Sequence, residues 1–170
     1  SFININRQQN RGYDMAIRYI TDIGAGVLTL DLQATKQEED FVALFEETFE
    51  DRNGLVGDPE WVASTKATFD FQNWSFFWGM NYVGTSSNEE KFGRNFITYR
   101  AVDYNAVLNT EAIYYHSFSV SYNWDNGLRV LGGVANAFDQ APPQLTREGI
   151  GTDQYTMIGN AVLASQYDPF

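Results

Sequence analysis

The sequence predicts an all-β protein, a segment of an antiparallel transmembrane β-barrel with long extracellular loops, and three observations lead to this prediction. Apolar residues recur at every second position over stretches of about ten residues, which is the period of a strand with one apolar face. Aromatic residues make up 16% of the 170 residues, and strands and membrane interfaces favour them. Short turns alternate with long polar connections, which predicts tight turns at one rim of a barrel and long loops at the other.

The composition excludes several other classes of protein. The 22 Asp and Glu outnumber the 11 Lys and Arg, whereas nucleic-acid binding needs a basic face. The chain has no cysteine, which excludes disulfides and thiolate metal sites. It also has no run of about 18 apolar residues, so the sequence predicts no membrane-spanning helix, although strands that are only half apolar escape this test.

The clearest predicted strand pair covers residues 61–82. Odd positions are apolar in its first half, and even positions are apolar after Gln72-Asn73. A two-residue turn there sets Phe69 opposite Phe76. Because opposed residues in an antiparallel pair share a face, both apolar sets then fall on one side of a single hairpin. These sets are Trp61, Ala63, Thr65, Ala67, Phe69 and Phe71, followed by Trp74, Phe76, Trp78, Met80 and Tyr82.

The same alternation predicts a hairpin on each side of this one. The first hairpin turns over Asp22–Gly26, which sets Arg18 opposite Thr29 and brings Asp31 within reach of an ion pair with Arg18. The acidic stretch that follows has aromatic residues near helical spacing over 41–49, which predicts a short helix. The predicted strands are residues 11–21, 27–36, 59–72, 74–84, 111–123 and 127–138. The predicted loops are residues 37–58, 85–110 and 139–170.

The last predicted strand ends in an unusual corner. It reads LRVLGGVANAFDQAPP, in which Asn-x-Phe-Asp is followed by two prolines. This stretch resembles the penultimate-strand signature of TonB-dependent outer-membrane receptors, where Gly-Val-x-Asn-x-Phe-Asp precedes Pro-Pro. The matching residues are Gly133, Val134, Asn136, Phe138, Asp139, Pro142 and Pro143.

Two further stretches resemble the same family, in the same order. GNAVLASQYDPF is similar to the family's Tyr-Asp-Pro before its closing strand, with Tyr167, Asp168 and Pro169 as the match. GDPEWVASTKATFDFQNWSFFW, which begins at Gly57, resembles a Gly-x-Pro-x-Trp strand and its neighbour. The family's closing strand, plug domain and TonB box have no counterpart. The resemblance therefore implies that residues 1–170 are the C-terminal portion of a receptor barrel, about strands 16 to 21 of 22.

The resemblance also implies a function for the whole receptor. That function is energised uptake of a scarce nutrient across the bacterial outer membrane, with no enzyme activity and no cofactor. The implied partners are outer-membrane lipid, the plug and remaining strands of the same receptor, the TonB energy complex acting through the plug, and surface partner proteins, but no nucleic acid. We expect loop aromatics and charges to contact the nutrient, namely Phe41, Phe45, Tyr99, Arg100, Asp103 and Tyr104.

The alternative hypothesis is a soluble β-sandwich that binds carbohydrate through its aromatic residues. A sandwich also has one apolar face on each sheet. Trp61, Trp74 and Tyr82 favour the barrel because they lie at predicted strand ends, where a barrel has its aromatic girdles. His116, the only histidine, falls on the apolar face without catalytic or metal-binding partners, so we expect it to pack there.

The corner residues have a structural role that needs no ligand. Proline cannot donate to a strand ladder, so Pro142 and Pro143 are expected to stop the last strand at the rim. Asn136 and Asp139 are expected to hydrogen-bond nearby backbone where the strand leaves the sheet.

Overall fold

The computed structural model describes residues 7–43, 49–92, 96–99, 101–105, 107–146 and 160–162. Within these ranges the protein is all-β apart from a single helical turn. Its long strands form one antiparallel sheet, so the predicted all-β antiparallel fold is confirmed. The elements in chain order are β1 (Arg7–Ile23), β2 (Gly26–Ala43), β3 (Phe49–Asp51), β4 (Trp61–Phe71), β5 (Trp74–Val83), β6 (Ser86–Ser87), α1 (Glu89–Phe92), β7 (Phe96–Tyr99), β8 (Val102–Asn105), β9 (Asn109–Thr110), β10 (Ile113–Asn123), β11 (Arg129–Val134), β12 (Gln144–Thr146) and β13 (Asn160–Val162).

The main sheet has the strand order β1-β2-β4-β5-β10-β11, and β3 pairs with the far part of β2. Tight turns join β1 to β2, β4 to β5, and β10 to β11, as the alternation of the sequence predicts. The last two turns lie side by side. A hydrogen bond links them, in which the Asn73 side-chain amide donates to the Asn123 carbonyl at 2.6 Å. Gly26 lies opposite Phe71, which places the first turn at the same end.

The predicted register of the middle hairpin is confirmed, because Phe69 lies opposite Phe76. The predicted register of the first hairpin is wrong by two residues. Arg18 lies opposite Asp31 rather than Thr29, since the chain turns tightly between Ile23 and Gly26 instead of over Asp22–Gly26. The expected ion pair forms, with 3.4 Å between Arg18 Nε and Asp31 Oδ1.

Two predictions for residues 37–58 are wrong. Residues 37–43 are not loop but continue β2, because β1 extends back to Arg7 and offers a ladder partner to each of them except Glu38, which sits at a bulge. The predicted helix over 41–49 is also wrong in its described parts, since 41–43 belong to β2 and Phe49 begins β3. The near-helical spacing of the phenylalanines is local, whereas the strand is set by pairing with distant residues. Residues 44–48 lie outside the described residues.

Most of the few buried residues lie at the long-loop end of the sheet, whereas Gly26 and Ser121 are buried at the short-turn end. Val83, Ile113 and Tyr115 form a small buried cluster at the long-loop end. Two loop segments fold beside it, where β6 pairs with β9 and the Ser86 backbone N–H donates to Thr110 Oγ1 at 3.0 Å. The rest of the described sheet is a single layer.

The sheet remains open among the described strands. β1 and β11 are its edges, each with a described partner on one side alone, and no closed barrel is seen. The remaining described strands form two-stranded ribbons, β6-β9, β7-β8 and β12-β13. No helix in the described part of the chain is long and apolar enough to cross a membrane.

Candidate functional site

One face of the main sheet is apolar across all six long strands, and we call it the apolar face. Residues directly opposite each other form rows that run from strand to strand. On the apolar face, none of the rows of described residues from Tyr82 to Trp74 contains Asp, Glu, Lys or Arg. Three central rows are Thr21-Leu28-Phe69-Phe76-Val120-Gly132, Tyr19-Leu30-Ala67-Trp78-Phe118-Val134 and Ile17-Leu32-Thr65-Met80-His116.

The apolar face is exposed in spite of its composition. Ile17 retains 60% of its accessible surface and Phe76 retains 45%. No second layer of described residues packs against this face. Contiguous apolar patches of this extent are rare on soluble monomers and mark a surface that contacts something apolar.

Aromatic side chains border the apolar face at both ends. Tyr82 and Tyr114 meet at the long-loop end, with ring centres 5.0 Å apart. Trp74 and Tyr122 meet at the short-turn end, with ring centres 4.7 Å apart. The rows of these two pairs cross β4 at Ala63 and Phe71, about 26 Å apart along the strand, which at a barrel tilt of about 40° gives a height of about 20 Å. Counted from Trp61 at the start of β4, the height is about 25 Å, which is the height of the apolar band of an outer-membrane barrel.

Beyond the long-loop border the same face of β1 and β2 becomes ionic. We call residues 7–11 with residues 39–43 the arm, because these parts of β1 and β2 pair beyond the end of β4. Arg11 forms an ion pair with Glu39, and Gln9 Nε2 donates to Glu39 Oε2 at 2.9 Å. The change from apolar to ionic side chains therefore occurs within two continuous strands.

A β-bulge lies where the change occurs. The register shifts between Arg11 and Gly12, and a Cβ on Gly12 would collide with the Lys36 carbonyl oxygen. Lys36 itself bridges the border, because its Nζ lies 5.8 Å from the centre of the Trp61 ring and 3.5 Å from Glu38 Oε1. A lysine whose stem covers apolar surface while its ammonium group reaches a carboxylate is typical of an interface with water.

The opposite face of the sheet is polar, and we call it the polar face. Arg18 and Asp31 form their ion pair there, and Lys66 lies opposite Asp31 on the next strand. Thr35 Oγ1 donates to Asp14 Oδ1 at 2.6 Å. These groups are exposed or half-buried, so the polar face can hold water or a polar partner.

A hollow of about 360 Å³ lies toward the long-loop end of the sheet. It takes four of its lining residues from one row of the polar face, namely Gln33, Ser64, Asn81 and Tyr115. Amide and hydroxyl groups of this kind donate and accept hydrogen bonds, so this row could bind a polar ligand. None of these residues was among the predicted ligand contacts. Their signal in the sequence is the polar phase of the alternation, which becomes a row only once the register of four strands is known.

A second cavity, of about 430 Å³, lies between the 107–113 segment and the double proline. Gln140, Pro142 and Pro143 line one part of it, and Asn109 and Glu111 line another. The prolines thus help to form a cavity at the loop rim.

Asn136 builds the corner that the motif predicts. Its backbone has a φ of 46°, its Oδ1 accepts from the Gln140 N–H at 2.9 Å, and its Nδ2 donates to the Gln140 carbonyl at 3.1 Å. Asp139 also has a positive φ, of 50°, and its N–H donates to the Asn136 carbonyl at 2.9 Å. The expected corner role of Asn136 is confirmed, and Asp139 takes part through its backbone.

The prediction that the prolines stop the last strand is wrong. Strand β11 ends at Val134, and it does not extend over residues 135–138 as predicted. The left-handed conformation of Asn136 interrupts the regular ladder before the prolines are reached, although the Ala137 N–H still donates to the His116 carbonyl at 2.7 Å. Phe138 then packs edge-on against His116, with ring centres 5.1 Å apart.

Gly133 and His116 each make a close contact. A Cβ on Gly133 would lie 2.8 Å from Ser119 Cβ and 2.9 Å from the Phe118 carbonyl oxygen, so only glycine fits without a shift of β10 or β11. His116 packs on the apolar face as expected, where its Nδ1 accepts a hydrogen bond from Trp78 Nε1 at 3.2 Å.

The structure does not gather the predicted ligand contacts into one site. Phe41 lies in the arm, opposite Gln9. Tyr99, Asp103 and Tyr104 lie on the β7–β8 hairpin. Phe45 and Arg100, together with Tyr167, Asp168 and Pro169 of the family motif, lie outside the described residues.

Comparisons of the chain with known protein families, with curated proteins and with solved structures return no match.

Proposed function

We propose that the chain forms part of the barrel wall of a TonB-dependent receptor, which takes up a scarce nutrient across the bacterial outer membrane. The observation that carries this proposal is the apolar face, which is free of charge between two aromatic borders about 20 Å apart in height and gives way to ion pairs in the arm. The order of the sequence motifs supports the choice of family.

Lipid accounts for the exposure of the apolar face. Apolar surface in water costs about 25 cal/mol per Å², and this cost disappears when hydrocarbon covers it. The strand ladder satisfies the backbone groups of the inner strands, which a lipid environment requires. The proposal also requires that further strands of the same receptor pair with the outer edges of β1 and β11, since lipid tolerates no open edge.

The polar face then faces the lumen and the plug. The charged groups Arg18, Asp31 and Lys66 lie in one row across β1, β2 and β4. Over the middle of β10 the same face has three small side chains, Ser117, Ser119 and Ser121, which leave room for a plug. TonB would act on that plug, while the long loops and the two cavities at their rim would receive the nutrient.

Cell fractionation and uptake measurements test this proposal. The complete protein, expressed in a Gram-negative host, should separate with the outer membrane and show the heat-dependent gel mobility of a folded barrel. Growth on a panel of single limiting nutrients should require the protein for one of them, and this requirement should disappear in a strain that lacks TonB. A protein found in the aqueous fraction would contradict the proposal.

The soluble carbohydrate-binding module remains the second candidate, and one observation favours it. Trp74, Tyr122 and Trp124 form an exposed aromatic cluster that could stack on sugar rings. This candidate predicts a monomer in detergent-free buffer whose electrophoretic mobility falls in gels that contain polysaccharide. The described strands do not form the two packed sheets of a sandwich, so we place this candidate second.

A further inference from the structure

We propose that the short-turn end of the apolar face binds one phospholipid whose headgroup bears an ammonium group, as phosphatidylethanolamine does. This inference rests on the proposed function, because it requires the apolar face to contact lipid. It goes further by assigning a headgroup site, an acyl-chain groove and a lipid preference to particular residues.

The headgroup site is an aromatic cage formed by Trp74, Tyr122 and Trp124. The Tyr122 ring lies 4.7 Å from Trp74 with an interplanar angle of 64°, and 4.6 Å from Trp124 with an angle of 74°. Each tryptophan ring therefore stands at a steep angle to the Tyr122 ring instead of stacking on it. Trp74 and Trp124 are 42% and 43% exposed, so the cage is accessible from outside the sheet. Cages of this kind bind alkylammonium groups through cation–π attraction.

The charges at this end of the sheet favour a cationic group. Asp125 lies in the turn beside the cage, where its Oδ1 accepts from the Asn73 amide at 3.3 Å. Asp22 and Asp70 lie beside the other two turns, in one row of the polar face. The one cation in these described segments is Arg129, whose guanidinium donates to Ser121 on the polar face at 3.2 Å. The cage therefore lies in a region with more negative than positive charge. An anionic headgroup would be repelled there, while an ammonium group would be attracted.

An apolar groove of about 600 Å³ crosses the sheet beside the cage. One wall is the row that contains Phe69, Phe76 and Val120, and the other is the row that contains Trp78 and Phe118. The intervening residues, Phe77, Ser119 and Gly133, belong to the polar phase of their strands and contribute the floor. This lining is almost entirely hydrocarbon, which suits an acyl chain.

Gly132 opens the groove at β11. It lies opposite Val120 in the first wall, and a Cβ built on it would have no atom within 4 Å. The neighbouring glycine, Gly133, has no such space. A large side chain at position 132 would therefore occupy the groove without straining the backbone.

The groove and the cage are close enough for one lipid to occupy both. Trp74 lies two positions before the groove-wall residue Phe76, and Tyr122 lies two positions after the groove-wall residue Val120. In each pair the two residues are on the same face of their strand. Two residues along a strand span about 7 Å. A headgroup in the cage would thus place the start of its acyl chains at the edge of the groove.

The experiment measures lipid retention by the complete protein, purified in detergent and titrated with phosphatidylethanolamine or phosphatidylglycerol. Native mass spectrometry counts the bound lipids. We expect one phosphatidylethanolamine to bind at least about tenfold more tightly than phosphatidylglycerol, the size of effect that a desolvated cation–π contact gives. Gly132→Leu, which fills the groove, and Trp124→Ala, which opens the cage, should each reduce this preference to about threefold or less.

Leu32→Phe is the matched control, since it adds apolar bulk to the same face outside the groove and should leave the preference unchanged. Equal binding of the two lipids by the unchanged protein would overturn the proposal, and so would a full preference in both Gly132→Leu and Trp124→Ala. In either case the protein would still be found in the outer membrane. An aqueous protein would instead contradict the proposed function itself, so the two failures are distinguishable.

Discussion

Strands β1 and β2 pair along almost their whole length, but one part of this pair has an apolar face and the other part, the arm, has an ionic one. From Met15 to Tyr19, β1 contributes apolar side chains to the apolar face. In the arm, the same side of β1 has Arg11 and Gln9, which contact Glu39. The same ladder of backbone hydrogen bonds supports both parts. Strand pairing alone therefore does not determine the side chains, and under the proposed function each part matches its own surroundings, hydrocarbon or water.

Gly12 and Lys36 mark the transition between the two parts. The bulge at Gly12 adds one residue to β2, and Lys36 extends over Trp61 toward Glu38. The proposed position at an interface between hydrocarbon and water would explain why an amphipathic lysine, a tryptophan and a bulge occur together there. Substitutions on the apolar face, at the bulge and in the arm should therefore differ in their effect on stability.

The largest effect is expected from a charge placed in the apolar part. Ile17→Lys puts an ammonium group in the middle of the apolar face, and we expect it to lower the free energy of unfolding by about 2–4 kcal/mol. Guanidinium unfolding of the complete protein from phosphatidylcholine vesicles measures this value. Gln9→Lys is the control on the same face of the same strand, within the arm, and should change stability by less than about 0.5 kcal/mol. Equal losses in the two variants would remove the distinction between the two parts.

A smaller effect is expected at the transition itself. Gly12→Ala introduces a methyl group against the Lys36 carbonyl, and the strain should cost about 1–3 kcal/mol. Gly132→Ala is the control, because its added Cβ meets no atom within 4 Å, and it should be nearly neutral. Unfolding in the same vesicles compares the two. If Gly12→Ala is as stable as Gly132→Ala, the close approach of the strands at the bulge is not needed.

The smallest effect is expected from the ion pairs of the arm. Arg11→Gln removes the contact with Glu39, but the Arg11 side chain is 62% exposed, so water already screens the charge. The loss should stay below about 1 kcal/mol and shrink further in about 1 M salt. A loss that is larger and independent of salt would show that the arm is not in water.

Much of the sheet could be predicted from the sequence because its information is local. The two-residue turn at Gln72-Asn73 and the change of phase on either side of it determine the register of β4 and β5. The predicted register of the first hairpin is wrong by two residues. Asp22 and Gly26 both resemble turn residues, and the alternation of apolar residues does not distinguish a turn over Asp22–Gly26 from the shorter turn between these two residues.

The arm and the polar hollow could not be predicted because they depend on distant residues. Residues 39–43 look like loop or helix until β1 supplies a partner as far back as Arg7. Gln33, Ser64 and Asn81 come from three strands and become neighbours only in the folded sheet. For the corner, the motif indicated the correct residue, Asn136, but attributed the end of the strand to prolines that come after the turn.

The central claim is that the apolar face contacts hydrocarbon while the arm and the polar face contact water. The chain has no cysteine, so a cysteine introduced at one position of β4 or at Gln9 carries the only spin label within it when the complete protein is reconstituted in vesicles with any cysteine elsewhere replaced. Collision with oxygen, which is concentrated in lipid, is compared with collision with a water-soluble nickel complex. We predict high oxygen and low nickel accessibility at the alternate positions from Ala63 to Phe69, and the reverse at Gln9. High nickel accessibility at these β4 positions would contradict the claim.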